Sequence, residues 1–418
     1  MIWNKEMECA DRETMRALQL KKLKETVRYE YDNVPYYREK MDKAGVKPED
    51  IQTLEDIRKL PFITKEDIAV NYPAGLFAKP MEEIVRIHAS SGTTGKPKIA
   101  GYTRNDLALW GECVARAMAS AGQDSKSVIQ VAYGYGLFTG GLGAHLGAET
   151  IGAAVLPMSS GNTHKQIMFM QDMKSTALAC TPSYALTIAE GIAKAGIDPA
   201  DLSLKSGIFG AEPWTEGMRE NIEKGLGIKA YDIYGLTEIV GPGVSISCDE
   251  HNGMHIQEDY FYPEIIDPET LEPLPDGEIG ELVFTTLGKE GFPMIRYRTR
   301  DLCYLMREKC ACGRTTVRMS KILGRTDDML IIRGVNVFPS QIESVISKFE
   351  ELTINYMIYV GRENNKDTFD LEVELAPGLA IDNIRFIEDL RSRLDHALRD
   401  MLGIGCKTKF LNEGTLPR

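Results

Sequence analysis

The sequence has a deficit of basic charge and contains no long hydrophobic run. Acidic residues outnumber basic ones by 61 to 49, which gives a formal net charge of -12 and argues against a nucleic-acid backbone as a partner. No apolar stretch approaches the length of a membrane span, and the segment from Met1 to Glu8 lacks the apolar core of a signal peptide. We therefore expect a cytoplasmic protein that binds neither nucleic acid nor membrane.

Cysteine is also sparse. Eight cysteines in 418 residues, several in apolar surroundings such as Cys113 and Cys180, are typical of reduced core thiols and not of a disulfide framework. A chain of this length exceeds what one hydrophobic core usually organises, so two or more domains are expected.

Hydrophobic patterning predicts an α/β fold. The first quarter has apolar residues at helical spacing, with a break near Val34 and Pro35. Apolar strands and helices then alternate, as in a doubly wound, mostly parallel sheet, whose ligands bind beyond the carboxyl ends of its strands. The predicted strands cover 128–132, 153–156, 177–180, 206–209 and 230–233, and the predicted helices cover 138–149, 163–173, 183–195 and 214–225.

The rest of the chain predicts two further parts. From about residue 245 the pattern changes to short strands with Pro and Gly turns, which indicates a β-rich subdomain. Helices at 339–348 and 382–401, with strands at 356–360 and 369–375, predict a small α+β lobe. We expect one large domain over 1–326 and a small domain over 327–418.

A run of small, hydroxylated and cationic residues, SSGTTGKPK, occupies 90–98. Glycines let the backbone approach an anion, and the hydroxyls and lysines, including Lys98, suit a loop that binds polyphosphate. Pro97 stands where a Walker A loop carries Ser or Thr, which excludes that motif. The alternative is an ordinary surface turn. The predicted phosphate-binding residues are Ser90, Ser91, Gly92, Thr93, Thr94, Gly95 and Lys96.

Six sequence blocks occur in a fixed order: SSGTTGKPK, GAEPW, YGLTE, YRTRD, GRTDDMLIIRG and VNVFPSQIE. Together they resemble the acyl-adenylate-forming (AMP-binding) enzyme superfamily over nearly the whole chain, and the last blocks resemble its phenylacetate-coenzyme A ligases. The resemblance implies a ligase that uses ATP to activate an aryl-acetic acid, phenylacetate first, as acyl-AMP. Coenzyme A then displaces AMP, and Mg²⁺ assists the nucleotide chemistry.

The resemblance also assigns roles around the nucleotide. It implies that Tyr234 stacks on adenine, that Thr237 binds the α-phosphate and that Glu238 coordinates Mg²⁺, with Lys96 as a further catalytic residue. Asp301 is expected to accept from both ribose hydroxyls, although a salt bridge to Arg298 or Arg300 is an alternative. The remaining nucleotide or coenzyme A residues implied are Glu212, Pro213, Asp232, Gly235, Arg325 and Gly334.

Substrate identity is expected to depend on an apolar slot with small residues on one wall, shaped for a flat ring. Aromatic residues in such a stretch are more often simple core. The pair Gly140 and Gly141 favours the slot, since it removes side chains where a core helix would carry them. The predicted slot residues are Tyr133, Phe138, Ala144, Gly210, Ala211, Ile233 and Pro242, with these two glycines.

In this family the small lobe rotates between the two half-reactions. The resemblance implies that Asp327 is the hinge and that Gly334 lines a pantetheine tunnel. The chain stops at Thr415-Leu-Pro-Arg418, where the family usually continues into a segment with a lysine of the adenylation site. Either the chain is trimmed or its adenylation step is impaired, and we expect that it is trimmed.

A separate group of residues suits a metal. Cys310 and Cys312, with Cys248 and a histidine some sixty residues earlier, could supply a tetrahedral Cys₃His set for structural zinc. His255 is the expected fourth ligand and His251 is the alternative. Four unrelated side chains would be the other interpretation.

Two other functions use the same motifs. The chain could load an acyl group onto a carrier protein's phosphopantetheine, or it could bind adenylate as a sensor without chemistry. Release of AMP with and without coenzyme A separates these functions. A homodimer is expected because dimers are frequent among the proteins that the sequence resembles.

Overall fold

The computed structural model describes residues 1–90, 97–328, 330–332, 335–363, 366–379, 381 and 384–416. Contacts between residues divide the chain into two compact units. Unit 1 consists of Met1–Glu212 and Glu220–Lys321, and unit 2 of Pro213–Arg219 and Ile322–Arg418. The domain boundary placed between residues 326 and 327 stays a prediction.

The secondary structure follows the sequence patterns in most of the chain. The helices are α1 (Lys5–Glu8), α2 (Arg12–Asn33), α3 (Pro35–Lys43), α4 (Lys65–Val70), α5 (Arg104–Ser120), α6 (Thr139–Thr150), α7 (Thr163–Asp172), α8 (Pro182–Lys194), α9 (Glu216–Leu226), α10 (Pro339–Ile346) and α11 (Ile384–Leu402). Short 3₁₀ helices cover Pro48–Asp50, Leu54–Lys59, Met81–Glu83 and Pro199–Asp201.

The strands complete the fold. They are β1 (Arg86–Ala89), β2 (Ile99–Tyr102), β3 (Val128–Val131), β4 (Ala154–Pro157), β5 (Ala177–Cys180), β6 (Ser206–Gly210), β7 (Lys229–Leu236), β8 (Gly241–Ser247), β9 (Met254–Ile256), β10 (Phe261–Ile266), β11 (Gly280–Thr286), β12 (Tyr297–Cys303), β13 (Leu305–Met306), β14 (Arg318–Met319), β15 (Gly324–Arg325), β16 (Leu330–Ile332), β17 (Val335–Val337), β18 (Leu352–Glu363), β19 (Lys366–Leu375) and β20 (Lys407–Leu411).

Helix α2 ends at the break near Val34 and Pro35 that the sequence predicts. The Asp11 side chain accepts a hydrogen bond from the Thr14 N–H and caps the first turn. The helix stops before Pro35, because proline restricts the residue that precedes it to extended backbone. Its buried residues are Met15, Gln19, Leu23, Thr26, Val27 and Glu30. The apolar spacing predicted the helix, but it did not predict that polar side chains share the buried face.

A nine-stranded sheet forms the centre of unit 1, in the order β13-β14-β9-β8-β7-β6-β5-β3-β4. Strands β3 to β7 are parallel to one another, with helices α6 to α9 in the connections between them. This arrangement confirms the predicted α/β fold, since parallel neighbours require a crossover connection.

The sheet continues past β7 in antiparallel strands. A turn at 237–240 reverses the chain, so that β8 pairs with β7, and β9, β14 and β13 follow. Sequence patterning placed the start of a β-rich subdomain at about residue 245, within β8, and did not predict that β8 and β9 join the large sheet. Strands β10, β11 and β12 pair antiparallel in a separate sheet of unit 1, and β1 and β2 pair antiparallel in another. Strand pairing, which depends on partners distant in the chain, decided which short strand joins which sheet.

Helix α5 was not predicted. It begins with a capping box, in which Thr103 and Asp106 exchange side-chain and backbone hydrogen bonds, and this sequence signal was available. The helix packs on α6 and β8. Its inner residues Trp110, Cys113 and Val114 are fully buried, so that α5 covers the antiparallel side of the sheet.

Unit 2 has its own hydrophobic core. Strand β19 pairs antiparallel with β18 and parallel with β20. Leu390, Leu394 and Leu398 recur every fourth residue on α11 and are fully buried together with Leu371 and Val373 of β19. The sequence predicted both helices and two of these strands. It missed β20, which is short and alternates lysine with buried residues.

Helix polarity bears on membrane insertion. At 22 residues α2 is long enough to span a bilayer, but it carries charged residues throughout. Among the described residues, no helix has both the length and the apolar character that a membrane span requires.

Candidate active site

The predicted substrate residues gather mostly where the parallel strands end. Gly210 ends β6 and is paired in register with Ile233 of β7. Tyr133 follows β3, and Phe138 caps the start of α6. Ala144 lies on α6, Ala211 directly follows Gly210, and Pro242 lies in β8. Ends of neighbouring parallel strands lie at one edge of a sheet, which is where α/β folds bind ligands.

Close backbone packing explains several glycines of this edge. A Cβ at Gly210 would lie 2.1 Å from the Ile233 carbonyl oxygen, and a Cβ at Gly141 would lie 2.7 Å from that of Gly134. By contrast, a Cβ at Gly140 would make an ordinary contact with the Tyr133 ring at 3.4 Å. Gly141 and Gly210 are therefore required by the fold itself, and only Gly140 retains its value as a sign of a slot.

The two aromatic slot residues differ in exposure. Tyr133 is 7% exposed, and its hydroxyl donates to the Ile208 carbonyl at 3.4 Å, so this side chain is part of the core. Phe138 is 53% exposed. An exposed ring beside the strand ends is available for an apolar ligand, whereas the Tyr133 side chain is almost fully buried.

Thr237 and Glu238 lie in the turn between β7 and β8. The Glu238 side chain is only 7% exposed and faces Lys98, with 3.5 Å between Oε1 and Nζ. Thr237 Oγ1 lies 3.5 Å from Thr139 Oγ1, at the start of α6. The turn therefore places a buried carboxylate and a hydroxyl beside a lysine of the predicted phosphate loop.

Tyr234 and Asp301 are in direct contact. The Tyr234 hydroxyl donates to Asp301 Oδ2 at 2.6 Å, and Asp301 is 4% exposed. Burial, with the neighbouring carboxylate, raises the pKa of Tyr234 well above its usual value, so the phenol keeps its proton. Arg298 and Arg300, the alternative partners of Asp301, both pair with Glu281, at 2.6 Å and 3.7 Å.

The other predicted nucleotide residues have local roles. Glu212 accepts a hydrogen bond from the Ser183 N–H at 2.6 Å, at the start of α8. The Asp232 N–H donates to Ser247 Oγ at 2.7 Å. Gly235 is required by close packing, because a Cβ there would lie 1.8 Å from the Gly241 carbonyl oxygen.

In unit 2 the predicted ribose ligand and the predicted hinge residue form an ion pair. Arg325 Nε lies 2.9 Å from Asp327 Oδ1, and Pro213, the other predicted residue there, is exposed. Of the phosphate loop, Ser90 is described, and its N–H donates to the Lys98 carbonyl at 3.0 Å. The predicted residues that lie outside the described part are Ser91, Gly92, Thr93, Thr94, Gly95, Lys96 and Gly334.

The structure brings the three cysteines and His255 together. Their four ligand atoms all lie within 4.8 Å of one another. Cys248 Sγ and Cys310 Sγ are 3.8 Å apart, and Cys312 Sγ is 3.4 Å from His255 Nε2. The alternative ligand His251 lies instead beside the Tyr231 ring. Cys248 directly follows β8, His255 belongs to β9, and the other two cysteines lie between β13 and β14.

Neighbouring groups orient this cluster. His255 Nδ1 lies 3.0 Å from Thr316 Oγ1, which fixes the ring with Nε2 toward the thiols. Burial raises the pKa of Cys248 to about 12. Burial acts in the same direction on Cys312, but hydrogen bonds from His255 and Arg314 outweigh it and lower the pKa of this thiol to about 5. The cluster therefore favours the deprotonated form of Cys312.

Family comparison accounts for most of the chain. Residues 8–288 match the model of the AMP-binding enzymes, and residues 334–418 match the model of the AMP-binding enzyme C-terminal domain. The chain belongs to the AMP-binding enzyme family. The family match confirms the resemblance that the six sequence blocks, in their order, predicted.

Curated relatives of this AMP-binding enzyme match most or all of its length. The phenylacetate-coenzyme A ligase of Thermus thermophilus is 49% identical and covers 100% of this chain and 97% of its own length. The enzyme of the same name from Escherichia coli is 50% identical, and the match covers 99% of this chain and 94% of the relative. That from Pseudomonas putida is 53% identical, and the match covers 88% of this chain and 84% of the relative.

A solved structure supports the fold. The crystal structure of 2-hydroxyisobutyryl-CoA ligase in the postadenylation state, in complex with R3-HIB-AMP, matches this AMP-binding enzyme with a TM-score of 0.91. The two chains are 28% identical, and the match covers 99% of this chain and 89% of the other. The fold is therefore that of an adenylate-forming CoA ligase.

Sequence reasoning missed the buried side chains behind the 237–240 turn of this AMP-binding enzyme. Tyr102 and Lys289 both hydrogen-bond to its backbone, and Asp106 binds the backbone beside Lys289. Lys289 lies in a segment, Gly-Lys-Glu-Gly, that resembles an exposed turn. A partner some fifty residues away gives no local signal, so only the fold reveals this lysine.

Glu30 supplies a pH-dependent prediction. Its side chain is fully buried, and neither carboxyl oxygen has a hydrogen-bond partner among the described residues. Burial raises the pKa of Glu30 well above its usual value, although Lys289 opposes this shift. The unfolded chain loses this proton near pH 4.5 and the folded protein loses it only at higher pH, so Glu30 destabilises the fold as pH rises above 4.5.

The variant Glu30→Gln keeps the shape and removes the titration. We expect it to raise the free energy of unfolding at pH 7 and to leave it unchanged below about pH 4. Urea denaturation of both proteins over this pH range measures the difference. An equal effect at every pH would show that Glu30 does not titrate as inferred.

Proposed function

We propose that the chain is an ATP-dependent acid-thiol ligase that converts phenylacetate, ATP and coenzyme A to phenylacetyl-CoA, AMP and pyrophosphate. The observation that carries the proposal is the identity of about half the residues, over nearly the full chain, to several phenylacetate-coenzyme A ligases. The buried Glu238 and the Tyr234–Asp301 contact, at the edge where α/β folds bind ligands, support it.

The first half-reaction joins two anions. A carboxylate oxygen of the acid attacks the α-phosphorus of ATP, and pyrophosphate leaves. Thr237 donates its hydroxyl to the α-phosphate, while Lys98, beside Glu238 at 3.5 Å, reduces the repulsion between the reactants. Glu238 is a buried oxygen donor of the kind that Mg²⁺ binds, and Mg²⁺ would neutralise phosphate charge there.

Asp301 anchors the ribose. Its carboxylate has two oxygens, and the Tyr234 hydroxyl occupies Oδ2 at 2.6 Å, which fixes the orientation of the group. A carboxylate oxygen accepts more than one hydrogen bond, so this group can also accept from the ribose hydroxyls. Tyr234, held in place by this bond, presents its ring to the adenine.

The second half-reaction uses the same acyl-AMP. The thiol of coenzyme A loses its proton to water and its sulfur attacks the acyl carbon. The bond between this carbon and the phosphate oxygen breaks, and AMP leaves with that oxygen. We propose that rotation at Asp327 brings the Gly334 region to the site for this step. The ion pair of Asp327 with Arg325 would break during that motion.

Release of AMP tests the function directly. The enzyme is incubated with Mg-ATP and an aryl-acetic, a benzoic or a fatty acid, with and without coenzyme A. We expect sustained AMP formation with phenylacetate and coenzyme A, and little with fatty acids. AMP formation that prefers benzoic or fatty acids would contradict the substrate, and no AMP with any acid would contradict the ligase.

We also propose that Cys248, His255, Cys310 and Cys312 hold a structural zinc ion. Bonds of about 2.3 Å to sulfur and about 2.0 Å to nitrogen in a tetrahedron separate two sulfurs by about 3.8 Å and sulfur from nitrogen by about 3.5 Å. The observed distances of 3.8 Å and 3.4 Å fit this geometry. Four protein ligands leave no open position, so zinc would link β8, β9 and the β13–β14 turn and take no part in the reaction.

Substitution of Cys312 tests the zinc site. We expect the purified protein to contain about one zinc ion per chain by mass spectrometry and Cys312→Ser to lose most of it, with a lower thermal midpoint. Cys113→Ser is the control, because this buried thiol lies in α5 and should keep the zinc. Equal metal content in the two variants would contradict the site.

A homodimer and a cytoplasmic location stay predictions.

A further inference from the structure

Two buried side chains hold the backbone of the turn that carries Thr237 and Glu238. The Lys289 ammonium donates to the carbonyl oxygen of Ile239 at 2.6 Å and lies 3.5 Å from that of Glu238. The Tyr102 hydroxyl lies 3.3 Å from the Thr237 carbonyl oxygen and 3.2 Å from that of Val240. Four consecutive carbonyl groups, at 237–240, therefore face one ammonium group and one phenol.

Lys289 is itself fixed in place. It is 3% exposed, and its ammonium lies over the Tyr102 ring at 5.1 Å and the Phe292 ring at 5.2 Å. The following two residues donate their N–H groups to Asp106, at 2.7 Å and 2.8 Å. A side chain enclosed in this way has few rotamers left, so its position defines the position of whatever it binds.

Burying an ammonium group has a cost that a packing role would not explain. Burial lowers the pKa of Lys289 to about 8, opposed by the nearby carboxylates Asp106, Glu238 and Glu30. An apolar residue of similar length would fill the same space without that cost. It could not donate to the carbonyl groups of the turn, which are the described hydrogen-bond partners of the ammonium.

We propose that Lys289 is a positioning residue for adenylation, which sets the 237–240 turn so that the Thr237 hydroxyl and the Glu238 carboxylate meet the nucleotide. Lys289 binds the backbone of the turn and is not assigned a contact with substrate, so it acts through these two residues. The inference rests on the ligase function proposed above, and it concerns the rate of the first half-reaction.

The variant Lys289→Met tests the proposal, with Lys22→Met as a matched control. Lys22 also donates to a carbonyl group, that of Asp259 at 2.6 Å, and lies over a tyrosine ring at 4.6 Å, but it contacts neither turn residue. We expect Lys289→Met to lower kcat for AMP formation about 100-fold with little change in the KM for phenylacetate. Lys22→Met should change kcat less than about threefold.

Two further variants keep the test decisive if Lys289→Met does not fold. Tyr102→Phe keeps the ring and removes only the hydroxyl, and we expect it to lower kcat about tenfold, again with little change in KM. Lys289→Arg keeps a donor and should restore part of the rate. If Tyr102→Phe and a folded Lys289→Met both kept the wild-type kcat, the role of Lys289 would be wrong and the ligase proposal would stand. If the wild-type protein itself formed no AMP, the ligase proposal would be wrong.

Discussion

Replacement of Glu238 by glutamine is expected to lower the rate of AMP formation by about 10²- to 10³-fold. Glutamine has nearly the same shape but no charge, so it cannot balance Lys98 at 3.5 Å or serve in the proposed binding of Mg²⁺ beside the phosphates. Because the side chain is 7% exposed, water cannot easily replace the lost charge. The rate is measured as AMP released from Mg-ATP and phenylacetate with coenzyme A present.

Glu112→Gln provides the matched control for this prediction. Glu112 also pairs with a basic residue, Arg116, at 3.1 Å, and its side chain is 22% exposed, but it lies on the outer part of α5 and accepts from Trp3 and Asn4. This variant should keep its rate of AMP formation. If Glu238→Gln remained as active as Glu112→Gln, the magnesium role of Glu238 would be wrong.

Replacement of Arg116 by methionine is expected to lower the free energy of unfolding by about 3–5 kcal/mol. The Arg116 side chain is fully buried in α5 and forms two hydrogen bonds with Asp259, at 2.8 Å and 2.9 Å, and a third with Gln257 at 2.9 Å. Methionine would leave the Asp259 carboxylate buried without its cation. Urea denaturation followed by tryptophan fluorescence measures the change.

An exposed ion pair gives the comparison for Arg116. Arg16 pairs with Glu55 at 2.6 Å, but the two side chains are 45% and 59% exposed. Arg16→Met should therefore lower the free energy of unfolding by less than about 1 kcal/mol. Adding Asp259→Leu to Arg116→Met should recover much of the lost stability, because the unpaired charge is then gone. A loss at Arg116 as small as that at Arg16 would show that the buried pair contributes little.

Local patterns predicted the parallel part of the large sheet well. The strands at 177–180 and 206–210 are short apolar runs between helices with clear periodicity, and these features are encoded within about ten residues. The same reasoning missed α5, whose capping box was visible, and β20, whose apolar content is low. It also did not predict that β8 and β9 join the large sheet, because strand pairing is not a local property.

The candidate site shows a similar division. The YGLTE and YRTRD blocks predict Tyr234, Glu238 and Asp301 as nucleotide-binding residues, and the structure brings Tyr234 and Asp301 into contact. The glycine argument for a substrate slot was weaker, since Gly210 and Gly141 are required by close backbone approach. Spacing alone could not separate a glycine that opens a slot from one that permits packing.

By itself, the sequence determined the family, the alternation of strands and helices, and the residue types available for nucleotide chemistry. These follow from short motifs and apolar periods, in which each residue constrains its near neighbours. Only the tertiary structure decided which distant groups meet, such as Cys248 with Cys310, Arg116 with Asp259, and Lys289 with the 237–240 turn. Such pairs, tens of residues apart or more, form because burial removes water from charged and polar groups, which must then find partners within the fold.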